Sequence, residues 1–265
     1  MNKKIAFFDI DGTMIDCSEG ITEPTEKTKR ALEILRGEGY YIGIATGRPK
    51  LFIPDWILKN INPDVLITSN GSYIEVEGNE ICNNLIDKKV LDEFRESCNK
   101  YKIKYILEGQ NQCISVGMSE KEIENFSRKF SLKSGDIVDY RTKQVYKANK
   151  LVVFLDTKEK IEIIKDKFSF CFNLLRHGEL DSYDLYNKKC SKGSGVKSTI
   201  EYLGIDIQNT LAFGDDLNDL EMLQLVDVGV AMGEGNSELI RKVNYTTDSV
   251  KEEGIYNFVV KMLDK

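Results

Sequence analysis

The sequence predicts an α/β fold, a doubly wound parallel sheet interrupted by an inserted α+β domain. Three observations carry this. Buried-type strands and amphipathic helices alternate over residues 4–69 and again from Lys192 onward, as in a parallel sheet with crossover helices. Between about residues 83 and 187 strands are more often adjacent, with no helix between each pair, as in an α+β unit. The first apolar run, Ile5-Ala6-Phe7-Phe8, ends in Asp9-Ile10-Asp11-Gly12-Thr13. Two carboxylates therefore fall at the carboxyl end of a strand, where open α/β sheets place their ligands.

The elements follow in order. Residues 4–9 form a buried strand. Residues 25–36 form an amphipathic helix, with Pro24 near its start, Ala31, Leu32, Ile34 and Leu35 on one side, and Gly37 and Gly39 closing it. Tyr40 to Ala45 is a second strand ending at Thr46-Gly47-Arg48-Pro49, followed by a helix to about Asn60. Asp64 to Ser69 is a third strand, ending at Asn70-Gly71. Tyr73–Glu77 and Glu80–Cys82 read as a hairpin through Gly78-Asn79. The insertion carries helical patterns at about 87–101, 119–132 and 157–168, and strands near 103–108, 112–117, 150–155, 170–175 and 182–186. From Lys192 come a helix to Leu203, a strand at 210–214, a helix at 217–224, a strand at 226–231, and helices near 236–243 and 252–263. The expected domains are a core of residues 1–82 and 188–265 and an insertion of residues 83–187.

Composition narrows the function. The 265 residues are 41% hydrophobic and 30% charged, with a formal net charge of −6. There is no basic stripe of the kind that binds nucleic acid. No apolar run is long enough to span a membrane, and the N-terminal run is too short and too acidic for a signal peptide. A cytoplasmic protein is expected. The six cysteines are scattered without Cys-x-x-Cys spacing, and there is a single histidine, His177, so a thiolate or Cys/His zinc site is not expected. Without an export signal the thiols are expected to stay reduced.

Four features sit where core strands end or helices begin. They are Asp9-Ile10-Asp11-Gly12-Thr13, Thr46 after Tyr41–Ala45, Lys192-Gly193 opening a helix, and Gly214-Asp215-Asp216-Leu217-Asn218-Asp219 after Thr210–Phe213. Parallel strands end on one edge, so these groups are placed to converge. Taken singly each has a plain explanation: a turn threonine, a solvated lysine, first-turn acids that favour a helix N-terminus. Together, carboxylates, a hydroxyl and an amine suit phosphoryl transfer, which depends on positioning and on neutralising charge spread over phosphoryl oxygens. Mg²⁺ takes oxygen ligands and keeps several waters, so two carboxylates can hold it. A lysine meets phosphate as a point charge. A free aspartate can attack phosphorus while a second one shuttles the proton.

At this point the sequence resembles the haloacid dehalogenase (HAD) superfamily, specifically its Cof-like phosphatases. The matching stretches are Phe8-Asp9-Ile10-Asp11-Gly12-Thr13, Ala45-Thr46-Gly47-Arg48-Pro49, Ser69-Asn70-Gly71, Ser191-Lys192-Gly193, and Phe213 through Leu223. They occur in the family's order along the whole chain, with a cap inserted between the second and third. The resemblance implies a HAD-like Rossmannoid core and Mg²⁺ as cofactor. It implies Asp9 as nucleophile and metal ligand, and Asp11 as general acid/base whose carbonyl also meets the metal. It implies Thr46 and Lys192 as phosphoryl holders, Asp215 as a further metal ligand, and Asp219 as support for the metal or for Lys192. Asn218 is implied to contact phosphate; Gly47, Arg48 and Asn70 are implied to line the substrate site. Asp11 also separates the chain from the superfamily's ATPases, which carry Thr there, and from its dehalogenases, which lack this acid.

The expected activity is Mg²⁺-dependent hydrolysis of a small phosphorylated metabolite, whether a sugar phosphate, a nucleotide or a phosphorylated cofactor, through an aspartyl-phosphate. A phosphomutase or a non-catalytic sensor of phosphorylated metabolites on the same fold are the alternatives. One departure from the Cof-like pattern is visible: Asn187-Lys188-Lys189-Cys190-Ser191 stands where a Pro-Gly segment often precedes the lysine.

Overall fold

The computed structural model describes residues 3–129, 132–133, 135–140, 147–177 and 180–264. In chain order its elements begin with β1 (Lys4–Phe8), α1 (Glu26–Gly37), β2 (Tyr40–Ala45), β3 (Val65–Thr68), β4 (Tyr73–Val76) and β5 (Asn79–Asn83). Then come α2 (Lys88–Tyr101), β6 (Lys104–Glu108), β7 (Cys113–Val116), α3 (Glu120–Lys129), β8 (Ile137–Asp139), β9 (Lys150–Phe154), α4 (Lys158–Phe168), β10 (Phe172–Arg176) and β11 (Ser182–Asn187). Last are α5 (Lys192–Leu203), β12 (Thr210–Gly214), α6 (Leu220–Leu225), β13 (Val228–Ala231), α7 (Ser237–Ile240), β14 (Tyr245–Thr246) and α8 (Gly254–Leu263). Two units emerge: Met1–Gly47 with Asp55–Cys82 and Ser191–Lys265, and Arg48–Pro54 with Asn83–Cys190.

The first unit is built on an eight-stranded sheet of order β14-β13-β12-β1-β2-β3-β4-β5. The six strands from β14 to β3 run parallel, and β4 turns back antiparallel to β3. Helices cover both faces, as the unbroken burial of Ile5–Phe8 in β1 requires. Ile5 and Phe7 pack with Val196, Ile200, Met222 and Leu223 of α5 and α6. On the other face Phe8 stacks on Phe213, which meets Phe258 of α8 edge-on. Strand order runs outward in opposite directions from β1 and β12, so the topological switch point lies between them. That is where doubly wound sheets bind ligands, and both strands end there in aspartates.

The second unit carries a six-stranded sheet of order β10-β11-β9-β6-β7-β8, antiparallel except between β7 and β8. Its inward positions Tyr105, Leu107, Leu151, Val153 and Leu185 pack with Leu91, Phe94, Ile164 and Phe168 of α2 and α4. The opposite face places Ile106, Cys113 and Val152 with Phe52, Met118 and Ile137.

Two local features differ from the sequence reading. Where a helix was expected up to Asn60, a 3₁₀ turn at Lys50–Phe52 is followed by a π-helical stretch at Ile57–Ile61. Pro54 separates them, because it has no N–H to carry a helical ladder across. The expected helix at 217–224 is a 3₁₀ turn, Leu217–Asp219, leading into α6. The end of the helix expected at 119–132 falls partly outside the described residues.

Candidate active site

Asp9 follows β1 directly and is held in register by its own N–H, which donates to Phe213 O at 3.1 Å. This ties the carboxyl ends of β1 and β12 together. The chain then turns sharply, with the Gly12 N–H donating to Ile15 O at 2.8 Å. Gly12 adopts φ +81, and a Cβ there would lie 2.1 Å from Asp215 Oδ2. A side chain at position 12 is thus excluded both by backbone handedness and by the carboxylate that occupies its space. Thr13, buried, donates from Oγ1 to Asp215 Oδ1 at 3.1 Å.

Lys192 enters at the first turn of α5, whose start is fixed by a capping box between Ser191 and Ser194. Its ammonium is 2.8 Å from Asp9 Oδ1 and 2.7 Å from Asp219 Oδ1. Burial works against the charged ammonium, but Asp219 and Asp9 outweigh it and hold the Lys192 pKa above its ordinary value. Asp219 is enclosed by donors, since its Oδ2 also accepts the backbone N–H groups of Asp215 (3.1 Å) and Asp216 (3.2 Å).

Asp9, Asp215 and Asp219 each present a carboxylate oxygen, all within 4.8 Å of one another. Their electrostatics are strained. Burial, and then the Asp219 and Asp11 charges, push Asp9 up to about 7 even though Lys192 pulls it down. Asp215 lies well above the carboxylate range, through burial first and then the charges of Asp9 and Asp219. Such a set fits a hard divalent cation. The donors are all oxygens, they converge, and a double positive charge relieves the repulsion that raises them.

Thr46, also buried, closes β2; its N–H donates to Ile67 O at 2.8 Å and its carbonyl accepts from the Asn70 N–H at 3.1 Å. Ser69 and Asn70 both lie in the left-handed region, at φ +51 and +53, ahead of Gly71 at φ +84. Two consecutive non-glycine residues held there cost on the order of 1 kcal/mol each. Gly71 cannot be replaced cheaply, since a Cβ would lie 2.1 Å from Ser191 O at the start of α5. Asn218 donates from Nδ2 to Asn70 Oδ1 at 3.3 Å.

Lys192 thus bridges Asp9 and Asp219, and Asp215 lies within 4.8 Å of both acids, with Thr46, Gly47, Asn70 and Asn218 linked along the same strand edge. The Asp11 side chain is exposed one turn beyond Asp9. Arg48 belongs to the second unit, where its Nη1 donates to Phe52 O at 3.1 Å. Asp216 acts locally, its Oδ1 accepting from Leu217 N (2.8 Å) and from Asn236 Nδ2 (3.0 Å). Two residues escaped the sequence reading. Thr13 was visible inside the first motif, but nothing marked its hydroxyl as a partner for Asp215. Asn236, whose N–H donates to Asp215 O at 2.7 Å, follows Gly233-Glu234-Gly235, where only the glycines hint at a tight loop. In the second unit His177 has partners at both nitrogens, Asp184 Oδ1 at 2.8 Å from Nε2 and Ser182 Oγ at 3.0 Å from Nδ1.

The fold and this edge define a class of α/β proteins in which a cluster of aspartates with an embedded lysine sits at the sheet's switch point. The chain belongs to the haloacid dehalogenase-like hydrolase family, which it matches over residues 6–259. A Bacillus subtilis (strain 168) protein named "Putative phosphatase YkrA" is 31% identical over 258 residues, covering 96% of each chain. A solved structure from Geobacillus kaustophilus HTA426 is 28% identical with a TM-score of 0.84, covering 98% of this chain and 99% of that one. The HAD subclass IIB sugar phosphatase BT4131 is 27% identical with a TM-score of 0.83, again covering 98% and 99%.

Proposed function

We propose that this chain is a Mg²⁺-dependent phosphatase that hydrolyses small phosphorylated metabolites through an aspartyl-phosphate on Asp9. The observation that carries the reading is the placement of Asp9, with one oxygen 2.8 Å from the buried Lys192 ammonium and Asp215 beside it. Family membership and the phosphatase relatives support it. Asp9, Asp215 and the Asp11 carbonyl would hold Mg²⁺, with Asp219 supporting both the cation pocket and Lys192. When bound, Mg²⁺ supplies neutralisation and orientation of phosphoryl oxygens.

The chain's own residues do the rest. A carboxylate oxygen of Asp9 attacks phosphorus while the bond to the ester oxygen breaks. Asp11, entering as the acid, gives its proton to that leaving oxygen. Water then attacks the phosphoryl group on Asp9. Asp11, now a carboxylate, takes the water's proton, and Asp9 leaves as a carboxylate with inorganic phosphate released. Lys192 and the Thr46 hydroxyl hold phosphoryl oxygens throughout, Lys192 also steadying Asp9. The inserted domain of residues 83–187 acts as a cap that selects the organic part of the substrate, and Gly47 and Arg48 contact substrate.

The test is phosphate release from a panel of sugar phosphates, nucleotides and phosphorylated cofactors, with and without Mg²⁺, by the wild type and Asp9→Asn. Release that needs Mg²⁺ and disappears in the variant supports the reading. Equal release by both proteins removes Asp9 as the nucleophile.

A further inference from the structure

We propose that Asn70 donates a hydrogen bond to an oxygen of the transferring phosphoryl group, and that Asn218 is a positioning residue that sets which end of the Asn70 carboxamide faces the site. The proposal rests on the phosphatase reading of the same site and deepens it. It begins from an imbalance. The Asn70 side chain is almost wholly buried, yet its Nδ2 has no hydrogen-bond partner among the described residues. Buried amide donors are nearly always satisfied, so an open one at a strand edge calls for a ligand acceptor.

The position of the carboxamide says which acceptor. Its own backbone N–H is tied to Thr46 O at 3.1 Å. Seen from Gly47, a Cβ would meet Asn70 Oδ1 at 3.3 Å and Nδ2 at 3.6 Å. The carboxamide therefore lies against Gly47, the residue next to Thr46, and its Oδ1 meets Asn218 of the loop that carries Asp215. An acceptor-only, tetrahedral oxyanion suits an open N–H₂ here; a second donor does not. The left-handed backbone at Ser69 and Asn70 is the local conformation that delivers this side chain.

Asn218 decides the orientation. It presents its own Nδ2 to Asn70 Oδ1 at 3.3 Å. Turning the Asn70 amide over would oppose two N–H₂ groups and aim a carbonyl at phosphoryl oxygens. Asn218→Asp should cause that reversal, because a carboxylate at 218 accepts from Asn70 Nδ2 and draws the donor out of the site. Asn218→Ala releases the amide and also removes any contact that residue 218 makes with phosphate itself, so the part that acts through Asn70 is read from the double variant. Asn70→Gly removes the carboxamide while keeping a residue at ease with φ +53.

The experiment measures inhibition by orthovanadate and the kcat and KM of phosphate release. It uses the wild type, Asn70→Gly, Asn218→Ala, Asn218→Asp and the Asn70→Gly/Asn218→Asp double variant, each checked for folding by its melting temperature. The Asn70 side-chain amide ¹⁵N–¹H resonances of the wild type are followed alongside. Asn70→Gly should weaken vanadate about tenfold, as expected for loss of a hydrogen bond to a charged acceptor. Asn218→Asp should exceed Asn218→Ala by a further factor of about ten, and that excess should vanish in the double variant. The Asn70 amide signals should move on adding vanadate. Unmoved signals, vanadate inhibition of Asn70→Gly equal to the wild type, or strictly multiplicative effects of the two substitutions would each overturn the proposal while leaving an active phosphatase standing. A wild type that neither releases phosphate nor binds vanadate defeats the phosphatase reading itself.

Discussion

The Lys192 ammonium lies 2.7 Å from Asp219 Oδ1, with neither side chain exposed to solvent. Asp9 is the same lysine's second partner. Removing one member of a buried ion cluster leaves the others uncompensated, which costs about 3–5 kcal/mol. Lys192→Met should therefore lower stability by an amount of that order at pH 8, and abolish phosphate release. The stability loss should shrink at pH 5, where the abandoned carboxylates can take up protons. Chemical denaturation of both proteins at the two pH values checks this. A loss that does not depend on pH would contradict the assigned charges.

Gly12 stands in the space that Asp215 uses, its would-be Cβ lying 2.1 Å from Oδ2. Gly12→Ala should displace the Asp215 carboxylate and strain a turn at φ +81, the latter costing about 1–2 kcal/mol. Mg²⁺ affinity should fall by about tenfold or more, since a ligating carboxylate is moved off its position. Titration calorimetry with Mg²⁺ measures it directly. Unchanged affinity would place the cation away from Asp215.

Much of this site was readable because strand ends are readable. Phe8 to Thr13 and Phe213 to Asp219 combine an apolar run, a break and acids, and a parallel sheet brings such ends to one edge. What was not readable depends on contacts between distant segments. Three aspartates crowd into residues 215–219, and only the 3₁₀ turn at Leu217–Asp219 shows that Asp219 faces Lys192 while Asp216 caps the turn. The left-handed pair Ser69-Asn70 has no periodic signature, and β8 and β14 are too short to show one. Residues 48–54 join the second unit through contacts far away in sequence, Phe52 packing with Ile106, Cys113 and Val152 and the Lys50 N–H donating to Gln110 Oε1, which no periodicity marks.

Protonation and the cation should compete for Asp9. Its pKa in the metal-free fold is raised to about 7, chiefly by burial, from an ordinary value near 4. A raised carboxyl binds a proton more tightly folded than unfolded. Its contribution is fully present below the unfolded value and is lost as pH rises through the folded one. The metal-free protein should therefore lose stability between about pH 4 and 7. Mg²⁺ binds the ionised form, so it should raise the melting temperature more at pH 8 than at pH 5. Thermal melts at the two pH values with and without Mg²⁺ read both effects. A larger Mg²⁺ effect at pH 5 would contradict the assignment.

The second unit has its own buried charge cluster. Lys150 lies 3.1 Å from Glu108 Oε2 and 2.8 Å from Asp184 Oδ2, with all three side chains at most 7% exposed. Lys150→Met should destabilise this unit by about 3–5 kcal/mol through the two carboxylates left behind. Adding Glu108→Gln should recover part of the loss, because it removes one of the uncompensated charges. Hydrogen exchange of the β6, β9 and β11 amides localises the effect. Equal protection in the wild type and the single variant would show that the cluster does not stabilise the sheet.

Asp11 separates the two halves of the proposed cycle. Its side chain is exposed, so Asp11→Asn should change stability by no more than about 0.5 kcal/mol. It should lower kcat about 10²–10⁴-fold, because no acid protonates the leaving oxygen and no base takes the proton from water. The two losses can be told apart by the leaving group. An alkyl phosphate needs protonation to leave, so its first step should stall. An aryl phosphate with an acidic phenol leaves without that help, so Asp9 should still become phosphorylated. Water attack should then limit turnover, and a burst of phenol should precede slow phosphate release. Acid quenching of ³²P-labelled enzyme would detect the trapped phosphoryl group, and Asp9→Asn provides the blank. Rapid turnover of the aryl phosphate by Asp11→Asn, with neither burst nor trapped phosphoryl group, would move the base that activates water to another residue.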